Sequence, residues 1–152
     1  MLPDKATILK KLIAADLIDR KQVSDVVGRC KNRKEDIYAE LVSRVSLPAE
    51  RIGEFFQENF HVQKIILTDL VLNQKLINKI PTYLIITHLI IPVCRINGKV
   101  LLAVADPLDI DGLQAITEYT GSEIGVLLSS KEHIIQAISE YIFRPKIISL
   151  LK

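Results

Sequence analysis

The chain has 152 residues, 49% of them apolar and 25% charged, with a formal net charge of +2. That length is enough to bury a real core in one domain or two small ones, and the near-balanced charge gives no general attraction to nucleic acid or anionic membranes. Cys30 and Cys94 lie far apart, and His61, His88 and His133 are scattered, so no clustered zinc ligands are visible and two reduced thiols are expected.

Asp4, Lys5, Lys10 and Lys11 interrupt the first apolar segment, so no signal peptide is expected. In ATILKKLIAADLI the apolar residues Ile8, Leu12, Ile13 and Leu17 recur at helical spacing. Asp19 is placed to cap a second helix, DRKQVSDVVGRC, with Val23, Val26 and Val27 as its apolar face. The basic run Arg29, Lys31, Arg33 and Lys34 has no interleaved aromatics and reads as a solvated linker. EDIYAELVSRV repeats the first pattern with Ile37, Leu41 and Val42, and PAERIGEFFQENF opens on Pro48 and buries Ile52, Phe55 and Phe56. A single offset aligns Ile8 with Ile37, Leu12 with Leu41, Ile13 with Val42, Ile18 with Leu47, Val23 with Ile52 and Val27 with Phe56. The four helices therefore read as two copies of one helix pair, a four-helix unit over residues 1–62.

Residues 63–152 change character. Asn73 is placed to cap QKLINKI, which passes through Pro81 into a second helical piece, TYLIIT. The apolar stretch 80–96 contains Pro81, His88 and Pro92, so it is too broken to span a bilayer. HLIIPVCRI and KVLLAVADP flank Asn97-Gly98, a strong signal for a hairpin with a type I′ turn. Pro92 donates no ladder hydrogen bond, so its strand must be an edge or be unpaired there. DIDGLQAITEY reads as a helix with Ile110, Leu113 and either Ile116 or Ala115 inward, stopped by Gly121. EIGVLLS is a strand and KEHIIQAISEYIF a closing helix, capped by Ser129 or Ser130. The expected architecture is α+β: the helical unit, then a small α/β sandwich on a roughly three-stranded sheet containing the hairpin.

Asp106, Asp109 and Asp111, where a strand hands over to a helix, could hold a metal ion. Several acids would have to converge from different strand ends, and no second acidic strand end is visible. Asp106 and Pro107 read better as a strand exit, Asp109 as a helix N-cap, and Asp111 as a first-turn charge on the helix dipole. No GxxxxGK[ST] loop and no nucleophile–base arrangement is present, and Glu54 with Glu58 reads as a solvated face rather than an acid–base pair. A packed or surface position is expected for His61 and His88.

Ile80-Pro81, Pro92-Val93 and Ala103-Val104-Ala105-Asp106-Pro107 follow one another in an order and spacing with a known parallel. Across residues 60–142 the chain resembles the amino-terminal domain of type II secretion and type IV pilus assembly ATPases. That family also begins with a duplicated helix-pair motif, here residues 7–30 and 36–59 with 31–35 between them, so the resemblance covers nearly the whole chain. It implies a cytoplasmic, non-catalytic domain, monomeric in isolation, without a cofactor, that docks a motor to the cytoplasmic part of an inner-membrane partner. The ATPase module would act in cis or in trans, and RPKIISLLK would begin a linker toward it or end a freestanding regulator. One branch of the family binds cyclic di-GMP through Arg-Leu-Gly at the start of each copy and a later Gly. This chain has Thr7, Leu9 and Asp16 at those positions of the first copy and Asp36, Tyr38 and Val45 in the second; Gln22 and the apolar frame remain. Calorimetric titration with cyclic di-GMP is therefore expected to show no micromolar binding.

Overall fold

The computed structural model describes residues 4–30, 37–43 and 48–151. The chain divides into two compact units, residues 3–51 and residues 52–152. In the first unit, α1 (Lys5–Ala14), α2 (Arg20–Cys30) and α3 (Ile37–Val42) are amphipathic, and α3 packs on both α1 and α2. Ile8, Leu12, Ile18, Val26, Tyr38 and Leu41 are its buried apolar side chains. Two expected core positions lie outside: Val27 is 44% exposed and Ile37 37% exposed, while Tyr38 takes the inward place. In a helix as short as α3, a one-residue change of phase moves the stripe by about 100°, and tertiary packing rather than spacing selects the phase.

The division falls inside α4 (Ala49–Phe60), between Arg51 and Ile52, rather than after residue 62. The body of this helix belongs with the sheet unit. Phe55, Phe56 and Phe60 form a ring cluster with centroids 5.3–5.9 Å apart. A Cβ on Gly53 would sit 3.8 Å from the Leu128 side chain, so helix and strand approach closely there. His61, at φ 55°, then reverses the chain into β1 (Gln63–Lys64).

The sheet has four strands in the order β1-β4-β3-β2, with β2 (Ile90–Ile96), β3 (Lys99–Val104) and β4 (Ile124–Leu128). The hairpin strands β2 and β3 are antiparallel, turning on Asn97 (φ 52°) and Gly98 (φ 79°), the left-handed pair that a type I′ turn requires. β3 runs parallel to β4 through α7 (Ile110–Thr120), and β4 runs parallel to β1. The strand not expected from the pattern is β1, whose two polar, exposed residues carry no apolar alternation. Pro92 lies on the edge strand, as its missing donor demands, beside a register shift between Pro92 and Cys94.

The remaining helices have side-chain signals at their ends. Asn73 accepts from Leu76 N–H at the start of α5 (Gln74–Asn78), and Pro81 precedes α6 (Thr82–His88). Ser130, not Ser129, caps α8 (Lys131–Ile138) by accepting from His133 N–H. α8 packs on β2 and β3, and α5 and α6 pack on β2.

RPKIISLLK is mostly helix: α9 (Arg144–Leu150) continues from α8 through a π turn over Ser139–Phe143. Pro145 explains the π turn. It donates no N–H, and in an α-helix its ring would press on the carbonyl of Tyr141. Widening the turn relieves this clash. The freed Tyr141 carbonyl accepts from Gln74 Nε2 at 2.9 Å, and the Tyr141 hydroxyl accepts from Leu72 N–H at 3.0 Å.

Candidate functional site

The motif positions of the helical unit are occupied by helix-end chemistry. Thr7 donates its N–H to Asp4 Oδ1 at 2.7 Å, which caps α1 and holds the Asp4 carboxyl below its ordinary pKa. Leu9 is half-buried within α1. Asp16 has φ 58°, its N–H bonds Ile13 O at 3.0 Å, and Leu17 N–H bonds Leu12 O at 2.9 Å. This is the Schellman arrangement, in which the left-handed residue after the helix is ordinarily glycine. The backbone shape that a glycine would give is thus retained with a carboxylate added. Tyr38 is buried beneath the Lys5 ammonium, which lies 5.4 Å from its ring centroid. Gln22 completes a capping box: its Oε1 accepts from Asp19 N–H at 3.1 Å, while Asp19 Oδ1 accepts from Lys21 N–H. Asp36 and Val45 lie outside the described residues. Between α1 and α2, Lys10, Ile13, Ala14, Arg20 and Val23 line a depression of about 360 Å³.

The acidic turn builds a tight junction. Asp106 Oδ1 accepts from Leu108 N–H at 3.0 Å, and Asp109 N–H bonds Asp106 O. Asp109 Oδ1 caps α7 by accepting from Gly112 N–H at 3.0 Å. Its other oxygen lies 2.7 Å from His88 Nδ1, at the end of α6. His88 was the residue missed in the sequence. The available signal was Gly112, a glycine in the first turns of a helix: a Cβ there would meet His88 Nδ1 at 2.5 Å. Pro107 and Leu108 are buried beneath the turn, Asp111 is exposed in the first turn of α7, and Gly121 (φ 60°) ends it. Asp109 is already engaged by two donors, and among the described residues no three His, Cys, Asp or Glu side chains gather as metal ligands would.

The other candidates are dispersed. Arg29 meets Glu40 at 3.6 Å, Glu54 and Glu58 are exposed on α4, and Cys94 is a half-buried free thiol. Among the described residues no helix is long and apolar enough to cross a membrane. Large apolar side chains do face solvent in groups: Ile66, Leu70 and Val71 before α5; Tyr83, Ile86 and Tyr119 on α6 and α7; and Phe143, Ile147, Ile148, Leu150 and Leu151 on and beside α9; Val27, Ile37, Ile96 and Ile135 are exposed elsewhere.

Two outcomes are expected from the acidic turn. Asp109→Ala removes the cap and leaves His88 without its partner, so it should lower unfolding stability by about 1–3 kcal/mol in urea titrations; Asp109→Asn should recover the cap share. Desolvation raises the Asp106 pKa, aided by the Asp109 charge and opposed by the Leu108 N–H. The folded state thus favours the protonated acid, and this contribution is full below the ordinary value near 3.8 and is lost as pH rises through the folded pKa. Asp106→Asn should therefore stabilise the protein at neutral pH, with the gain vanishing in acid, as melts across pH would show.

Comparison with known proteins accounts for this combination of units. The MshEN domain family matches residues 60–145. The type IV pilus assembly ATPase PilB of Myxococcus xanthus (strain DK1622) is 24% identical over 130 residues, covering 86% of this chain. The chain spans 23% of that protein's length. The solved N-terminal domain of XpsE superposes with a TM-score of 0.59 at 17% identity, covering 93% of this chain and 98% of the other. A structure of MshE with cdg gives a TM-score of 0.56 at 14% identity, covering 87% and 96%. The chain therefore belongs to the MshEN domain family.

Proposed function

We propose that this domain is a non-catalytic, cytoplasmic adaptor and regulator of a type II secretion or type IV pilus assembly ATPase, docking the motor to the cytoplasmic part of an inner-membrane partner. The observation that carries this reading is the extent of the match. The chain is equivalent to nearly all of the XpsE N-terminal domain yet to under a quarter of PilB. It has no phosphate-cradling loop of its own. Asp109 and Ser130 are engaged in helix caps, whereas exposed apolar groups offer contact area for a protein.

The alternative of a cyclic di-GMP sensor draws on the depression flanked by Lys10 and Arg20 and on the MshE neighbour solved with cdg. Thr7, Leu9 and Asp16 replace the Arg and Gly positions of the binding motif, and Asp16 adds a negative charge at the end of α1, so docking is the stronger reading.

The docking reading is tested by mixing the purified chain with the cytoplasmic region of the inner-membrane protein that anchors the motor. A stable one-to-one complex at micromolar concentration is expected, and deletion of these residues from the motor should release it from membranes while leaving its ATP hydrolysis intact. No complex, together with membrane retention of the truncated motor, overturns the reading.

A further inference from the structure

The helices α6 and α7 pack against each other in antiparallel fashion. At one end His88 meets Asp109 at 2.7 Å; at the other, Tyr83 near the start of α6 stands close to Tyr119 near the end of α7. The two ends differ in exposure. The His88–Asp109 pair is largely covered, whereas Tyr83 is 62% exposed and Tyr119 57% exposed. Ile86 stands one turn beyond Tyr83 on α6 and is also exposed. An exposed tyrosine presents a large rigid contact area on only two side-chain torsions, so covering it costs little side-chain freedom, which is the character of an interface anchor.

Neither α6 nor α7 carries a lysine or arginine, and of the cations that flank them in sequence, Lys79, Arg95 and Lys99, the last two are engaged by Ser122 and Glu123. On its outer side α7 exposes Asp111 and Glu118. These acids are two helical turns apart, so they share the outward side of α7, next to the strip that ends in Tyr119. We propose that the α6–α7 face is a docking surface for a polypeptide segment whose apolar side chains are flanked by lysine or arginine. Apolar groups would cover Tyr83, Ile86 and Tyr119, and the flanking cations would meet Asp111 and Glu118 at the rim, steering encounter and rejecting acidic segments. The inference deepens the docking reading and rests on it for the segment's origin: stretches of inner-membrane proteins next to their cytoplasmic membrane ends are enriched in lysine and arginine.

The experiment titrates the isotope-labelled chain with two synthetic helical peptides that share a leucine stripe, one flanked by lysines and the other by glutamates. The lysine peptide is expected to shift amide signals within residues 82–88 and 109–120 and to bind at least about tenfold more tightly than the glutamate peptide. Tyr83→Ala with Tyr119→Ala, both exposed positions, should weaken it by about tenfold or more without altering the remaining spectrum. Asp111→Lys with Glu118→Lys should invert the preference. Shifts centred on residues 66–72 or on α9, or equal affinity for both peptides, overturn the proposal. The same tyrosine variant is then tested against the partner's cytoplasmic region. Undiminished binding removes this surface while leaving the docking reading in place; absence of binding even by the unaltered chain removes the docking reading, and the peptide titration still decides the surface.

Discussion

One carboxylate organises the junction on which the α/β unit turns. Asp109 accepts from Gly112 N–H with one oxygen and meets His88 with the other, so the first turn of α7 and the last residue of α6 are set by the same side chain. α6 leads directly into β2, with Leu89 in the left-handed conformation between them, and Asp106 to Leu108 lead out of β3. The ends of two neighbouring strands are thereby tied through their helices. Gly112 follows from the same contact, since any larger residue would displace the imidazole. The acidic turn is a mechanical joint in which Asp106 and Asp109 hold backbone donors and Asp109 also meets a histidine.

The two units use their helix ends differently. In the first they close the helices locally: Thr7 N–H serves a cap and Asp16 a left-handed exit, while Tyr38 is buried. Asp16 separates two roles that a glycine at this position conflates. The exit of α1 requires the left-handed shape, which Asp supplies at some cost, while close approach of a ligand to the backbone requires the absence of a side chain, which Asp removes. Fold and ligand chemistry can therefore part at this residue without the helix pair unravelling.

Much of this was legible in the sequence where a local rule acts within a few residues. Asn97-Gly98, Asn73, Asp109 and Gly121 each meet a requirement of the chain at that point, and Pro92 names its own strand as an edge. The failures share a different cause. β1 exists because Gln63 and Lys64 pass beside β4, which no pattern in two polar residues foretells. Val27 lies outside, and Tyr38 takes the inward place expected of Ile37, because a neighbouring helix selects the buried side. His88 was invisible as a partner of Asp109 because the pair is distant in sequence. The helix through Pro145 survives because the Tyr141 carbonyl finds Gln74 across the fold, a compensation that a proline signal cannot include.

The edges of the sheet carry a consequence for how this domain meets other molecules. One outer strand, β1, is two residues long, and the other, β2, has Pro92, a register shift, and a Val93 carbonyl already taken by Asn73 N–H. Neither margin offers the run of open backbone donors and acceptors that a visiting strand needs to extend a sheet. Recognition by β-augmentation, and the edge-to-edge aggregation that shares its geometry, are both discouraged. Specificity then has to be written in side chains on helices, where single substitutions can retune it without disturbing the sheet beneath.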